Sequence, residues 1–198
     1  MSEQAAINEE EPLHSISKVL RDWIFVVVLA LGAALLVRMY VLQQFYISGP
    51  SMETTLLGNN RVLVNKLSYR LHSIRRGDVV VFDRVTSSDG SVAHDDLIKR
   101  VIAISNDTIE IKDCKVYVNA ALVDEPYLNK EDLVQKSAAE RCRVGELSKQ
   151  TIPDNKIFVM GDNRPDSFDS RSFGPISESL VVGRAFAIVW PFNRISSL

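Results

Sequence analysis

From Trp23 to Leu42 the chain reads WIFVVVLALGAALLVRMYVL, with Arg38 as the single charge. A helix of that length rises roughly 30 Å, the thickness of a bilayer's hydrocarbon core. A chain of 198 residues offers little protein with which to bury so long an uncharged helix. Arg38 lies near the far end, where its side chain can snorkel to the interface, and Trp23 and Tyr40 sit at the depths that interfacial aromatics favour. A cleavable signal peptide would pass the same length test. It is disfavoured by the long acidic tail (Glu9, Glu10, Glu11) and by the lack of a small-x-small site after the run. Lys18 and Arg21 closely precede the run, and after Arg38 the next positive charge is Arg61, so the N-terminus is expected on the cytoplasmic side. The expected organisation is a cytoplasmic tail (1–22), a single transmembrane anchor (23–42) in the cell membrane, and an extracytoplasmic domain (43–198).

That domain reads as β. Short β-branched runs recur at Arg61–Asn65, Asp78–Phe82, Leu97–Ile104, Thr108–Ile111, Val116–Val118, Ile157–Met160 and Val181–Trp190, several alternating with period two. Gly77-Asp78, Asn106-Asp107 and Pro153-Asp154-Asn155 supply turns between them. The Glu-, Lys- and Ala-rich stretch 124–150 breaks the pattern and is expected to be a surface excursion. A net charge of −2 without a basic stripe gives no footprint for nucleic acid. Cys114 and Cys142 have neither metal-ligand spacing nor the density of a disulfide framework; one bridge or two free thiols both fit.

Three segments carry candidate chemistry. Gly49-Pro50-Ser51-Met52 puts a serine on a tight turn soon after the anchor, a place where most serines are ordinary turn residues. Lys99 interrupts the apolar strand Leu97-Ile98-Lys99-Arg100-Val101-Ile102. Adjacent strand residues point to opposite faces, so Lys99 or Arg100 must face the buried side. A desolvated lysine loses its proton more readily and can act as a base, although an edge lysine reaching water fits the strand as well. The third segment, Gly161-Asp162-Asn163-Arg164-Pro165-Asp166-Ser167-Phe168-Asp169-Ser170-Arg171, has the mixture of opposite charges and hydroxyls expected of a mutually satisfied polar network. A Ser-His-Asp triad would have to use His94 with Asp95 or Asp96, for which nothing in the spacing speaks, and a metal hydrolase lacks an HExxH motif.

Taken in order, SGPSMETTL (Ser48–Leu56), RGDVVVF (Arg76–Phe82), IKRVI (Ile98–Ile102), GDNR…S.DSR…GP (Gly161–Pro175) and the closing WPF (Trp190–Phe192) resemble the type I signal peptidase family, over roughly Trp23 to Phe192. The first box departs from the family pattern at Thr54 and Asn59, away from the two candidate reacting residues. The resemblance implies a mainly β domain of the signal-peptidase and LexA-like kind behind one transmembrane helix. It implies a serine endopeptidase that removes signal peptides from secreted preproteins, with Ser51 as nucleophile and Lys99 as general base. Ser167 would orient the lysine, and Asp162, Asp169 and Arg171 would support it. Gly49, Met52 and Ile98 would lie along substrate or oxyanion, and Gly49 stands where some members carry a serine that donates to the oxyanion. No metal or cofactor is implied, and the partners expected are the signal peptide and the bilayer, with the enzyme a monomer.

Overall fold

The computed structural model describes residues 14–88, 91–128 and 146–198, and it divides into two units with the boundary after Met39. The first unit holds all but the last residue of helix α1, His14–Tyr40, with Arg38 in its last turn, where a cation suits the helix dipole. Its apolar side chains are exposed along the helix, Trp23 and Leu29 among them, and Ile16–Arg38 is long and apolar enough to cross a membrane. The helix starts earlier than the expected anchor and stops short of Leu42. Leu42 instead opens strand β1, where it stands opposite Asn65, so a β pairing claims the end of the apolar run.

The second unit is antiparallel β. Its strands are β1 (Leu42–Tyr46), β2 (Arg61–Asn65), β3 (Val79–Ser88), β4 (Ser91–Ala103), β5 (Thr108–Lys112), β6 (Lys115–Val118), β7 (Ala121–Leu122), β8 (Leu147–Thr151), β9 (Lys156–Met160), β10 (Ile176–Ser177), β11 (Val181–Trp190) and β12 (Ser196–Ser197). One sheet has the order β1-β2-β11-β3-β4-β9-β10, with β12 also on β11, and a second has the order β7-β6-β5-β8. All seven runs read as strands from sequence fall in β2 to β6, β9 and β11. Gly77, Asn106 and Asn155 take positive φ (90°, 67° and 57°) at the three turns, a conformation that Gly and Asn tolerate best.

The large sheet is covered on both faces near its middle. One face packs Met52, Leu56, Val62, Val64, Val79, Val81 and Ile188; the other packs Val80, Phe82, Val101, Ile157 and Val159. A strand buried on both sides has no polar face, which is why β3 opens as an uninterrupted VVVF. β4 pairs with β3 from Ser91 to Arg100, but with β9 only from Arg100 to Ala103. Among the described residues, the second edge of β4 upstream of Arg100 has no strand partner.

The expected excursion 124–150 is partly strand, since its last residues enter β8 and pair with β5. Residues 129–145 lie outside the described residues. Cys114 is disulfide-bonded, which overturns the free-thiol alternative for it; Cys142 is also outside the described residues.

Candidate active site

Strand β1 ends at Tyr46, and two backbone bonds fix the exit: Ile47 N–H donates to Asn60 O (2.9 Å) and Asn59 N–H donates to Ile47 O (2.9 Å). Pro50 then starts a single 3-10 turn, Pro50–Met52, a position that needs no N–H and suits proline's fixed φ. Met52 is fully buried and anchors this turn in the core, while Ser51 beside it is half-buried. Ser51 is thus presented on a short turn whose next residue cannot move without opening a cavity.

Lys99 reaches this turn from β4. Its Nζ lies 2.6 Å from Ser51 Oγ, and the residue is only 3% exposed. Burial lowers the ammonium's pKa from the usual 10.5 to about 8; the Asp169 and Asp162 carboxylates pull it partly back up, and the Arg171 guanidinium pushes it down. Arg100, one residue on, is also buried. Alternation sends the two cations to opposite faces of the sheet, and because both faces are covered, neither meets open solvent. The sequence required only one of them to face inward; both do.

Arg100 is neutralised by Asp162, with Nε to Oδ1 at 2.9 Å and Nη2 to Oδ2 at 2.7 Å, and its Nη1 donates to Gly77 O (2.9 Å). Thr55, four residues past the serine, donates its hydroxyl to Asp162 Oδ2 (2.5 Å). Asp169 receives Arg171 Nε (2.8 Å) and Nη2 (2.7 Å) together with the Gly161 N–H (3.0 Å). It also caps the short helix α2 (Ser170–Phe173) through the Arg171 N–H. Burial alone would raise the Asp169 pKa, but Arg171 and the Gly161 N–H together hold it below the usual carboxylate range.

Gly161 is the tightest point. A Cβ there would lie 2.3 Å from the Ser51 carbonyl oxygen and 2.3 Å from Ser167 Oγ. No side chain fits between the Ser51 turn and the loop. The Ser51 carbonyl is held by the Asn163 N–H (3.0 Å), and the Asn163 side chain donates to Pro50 O (3.1 Å).

These observations bring together a serine hydroxyl, a buried lysine whose proton is weakly held, and a loop that fixes both. Residues 20–190 match the family model described as signal peptidase, peptidase S26. The chain belongs to the signal peptidase family. Signal peptidase I T of Bacillus subtilis (strain 168) is 34% identical to it over 199 residues, 98% of either chain. Signal peptidase I of Bacillus caldolyticus is 36% identical over 179 residues, 89% of this chain and 93% of its own. A solved signal peptidase I from Enterococcus faecalis V583 is 27% identical, covers 57% of this chain and 97% of its own, and superposes with a TM-score of 0.44. Members are serine endopeptidases, and so is this chain.

Within this signal peptidase, Ser51, Lys99, Asp162, Asp169 and Arg171 lie in one connected cluster. Ser167 differs from expectation. Its hydroxyl oxygen is buried without a partner in hydrogen-bonding geometry, so it makes no bond to Lys99, although it lies close enough to Asp169 to help hold that carboxylate low. Met52, expected along the substrate, is a core anchor; Ile98 is half-buried and packs on the same cluster. Gly49 is extended (φ −112°), with nothing within 4 Å of where a Cβ would sit, so a serine would fit there but its hydroxyl is absent. His94 is an exposed residue whose Nδ1 pairs with Asp83 Oδ2 at 2.6 Å across the β3–β4 hairpin, which leaves the triad reading without support.

Sequence reasoning assigned no role to Arg100, Thr55, Gly161, Asn163, Glu125 or Tyr127. For Arg100 the signal was present, as a second charge in an apolar strand. For Glu125 and Tyr127 there was none, because their partners are far along the chain.

Proposed function

We propose that this chain is a membrane-anchored endopeptidase that removes N-terminal signal peptides from secreted preproteins, using Ser51 as nucleophile and Lys99 as general base. Helix α1 would be the single anchor, its N-terminus cytoplasmic and its catalytic domain on the extracytoplasmic side of the cell membrane. The observation that carries the reading is the 2.6 Å approach of Lys99 Nζ to Ser51 Oγ, with burial lowering the lysine's pKa to about 8.

Lys99 in its neutral form takes the Ser51 proton as Oγ attacks the scissile carbonyl. The oxyanion meets the Ser51 N–H, which lies in the first turn of a helix, where donors have no intrahelical partner. The lysine's proton then passes to the leaving amine, giving an acyl-enzyme and the mature N-terminus. Lys99, neutral again, activates a water that releases the signal peptide and restores Ser51. Asp162 and Asp169, each neutralised by an arginine, fix the loop around Lys99 without competing for its proton. The preprotein would enter as an added strand along the unpartnered edge of β4 upstream of Arg100 and along the segment before Ser51. These steps require no metal or cofactor. Anchoring enzyme and signal peptide in one bilayer raises their effective concentration.

The test is cleavage of a preprotein by the detergent-solubilised chain, with the cut site mapped. Ser51→Ala and Lys99→Ala should each abolish product while the protein still folds and fractionates with membranes. Substantial activity in either variant would refute the dyad.

A further inference from the structure

Glu125 and Tyr127 belong to the segment that sequence reasoning set aside as a surface excursion, yet both are turned into the active-site network. The Glu125 carboxylate accepts both terminal nitrogens of Arg164, one at 3.2 Å and the other in a very short contact, and each of these side chains is 11% exposed. The Tyr127 hydroxyl donates to Glu125 Oε1 (2.9 Å), and Arg164 Nη2 also reaches that hydroxyl oxygen (3.4 Å). The face of the Tyr127 ring is taken by a second cation, with Arg100 Cζ 4.0 Å from the centroid and Arg164 Cζ at 6.0 Å. Thr54, three residues past the serine, donates its hydroxyl to the Tyr127 carbonyl (3.4 Å).

Each arginine continues toward the nucleophile. Arg164 Nε donates to Gly161 O (3.1 Å), the residue with no room for a side chain between Ser51 and Ser167. Arg100 carries Asp162, and Asp162 holds Thr55. The loop from Gly161 to Arg164, which grips the Ser51 carbonyl through Asn163, is therefore held from behind by one carboxylate and one aromatic ring.

We propose that Glu125 and Tyr127 are positioning residues for the peptidase reaction: the ring seats Arg100, the carboxylate seats Arg164, and together they press the 161–164 loop onto the Ser51 turn. A cation over an aromatic face inside a water-poor site is held more strongly than one at an exposed ring. A buried guanidinium whose carboxylate is removed must move or draw in water. Either response loosens the same loop. The inference rests on the reading of Ser51 and Lys99 as the reacting pair.

The experiment compares Tyr127→Leu, Tyr127→Phe and Glu125→Gln with wild type and Ser51→Ala, all as full chains in detergent, measuring kcat, KM and the pH profile of kcat/KM. Tyr127→Leu keeps apolar bulk but removes the π face, and kcat should fall about 10- to 100-fold at little change in KM, the scale of supporting residues at other sites. Tyr127→Phe restores the face and should recover most of that loss. Glu125→Gln should lower kcat in the same way.

A purely structural role would reduce the amount of folded enzyme but would leave the shape of the pH profile alone. Positioning would not. Lys99 is faced by Ser51 on the 3-10 turn, by Asp162 and Asp169 on the loop, and by Arg171 on α2. Loosening that loop admits water to the ammonium and weakens the hold of Arg100 on Asp162; both changes favour the charged lysine, so the acid limb should move to higher pH in Tyr127→Leu and return in Tyr127→Phe. Equal rates for the Leu and Phe variants, or a limb that stays in place while kcat falls, would overturn the proposal. If Ser51→Ala also cleaves, the dyad itself fails; if Ser51→Ala is dead and Tyr127→Leu is fully active, only the positioning role fails.

Discussion

The clearest quantitative consequence of the buried lysine is the pH dependence of cleavage. At pH 7 a lysine of pKa 10.5 is neutral in about one molecule in 3,000, whereas one of pKa about 8 is neutral in about one in eleven. Burial on β4 thus makes the neutral amine, the base of the proposed mechanism, about 300-fold more abundant at neutral pH. The assay is kcat/KM for a preprotein peptide from about pH 6 to about pH 10, since that ratio reports the free enzyme's ionisations. Below about pH 8 the rate should rise close to tenfold per pH unit, and above it the rate should level off. Placing the chain without residues 1–39 in the same assay should give the same limb, because every group acting on Lys99 lies in the second unit. An acid limb between about 6 and 7 that disappears on replacing His94 or His72 would refute the lysine mechanism, as would a limb near 10.

The same burial has a stability signature. The folded lysine binds its proton more weakly than the unfolded one, so between about pH 8 and 10.5 the unfolded chain holds more protons and stability rises with pH; below 8 the penalty is fully present. Lys99→Met should therefore raise the unfolding free energy at pH 7, by up to about 3 kcal/mol, and flatten that rise, as chemical denaturation at several pH values would reveal. Gly161→Ala, whose Cβ would collide with the Ser51 carbonyl and Ser167, should cut kcat by at least about 100-fold while leaving a cooperative melt; near-normal turnover would show that the loop yields. Ser167→Ala should lose about 10- to 100-fold in rate, a graded effect of a group supporting Asp169, and a wild-type rate would mean that its buried hydroxyl does not matter to the loop.

What the sequence revealed and what it hid have physical causes. Val79–Phe82 and Lys156–Met160 were readable as strands because local β-branched composition and tertiary burial agree there. The pairing of β1 was hidden because LQQFY follows the apolar helix without a turn signal and is claimed only by β2, whose residues lie about twenty positions on. β8 was hidden in a polar stretch, since Leu147–Thr151 faces the small sheet with a largely exposed pattern and owes its form to β5. At the site, an unusual lysine in an apolar strand pointed to Lys99. Nothing local could pair Glu125 with Arg164 or lay Tyr127 under Arg100, because those contacts join positions 39 and 27 residues apart.

One feature of β4 bears on where a bound chain would be cut. On the proposed reading, a preprotein pairs with the open edge of this strand, but from Arg100 onward that edge is already filled by β9. The guest backbone must therefore leave the sheet beside Lys99, the last residue before the protein's own strand takes over. The sheet acts as a stop at a fixed distance from the base, so the position of the cut is set by where hydrogen-bonding room runs out as well as by which side chains fit. Lengthening the β4–β9 pairing upstream by one residue pair would shift that stop, and with it the bond offered to Ser51.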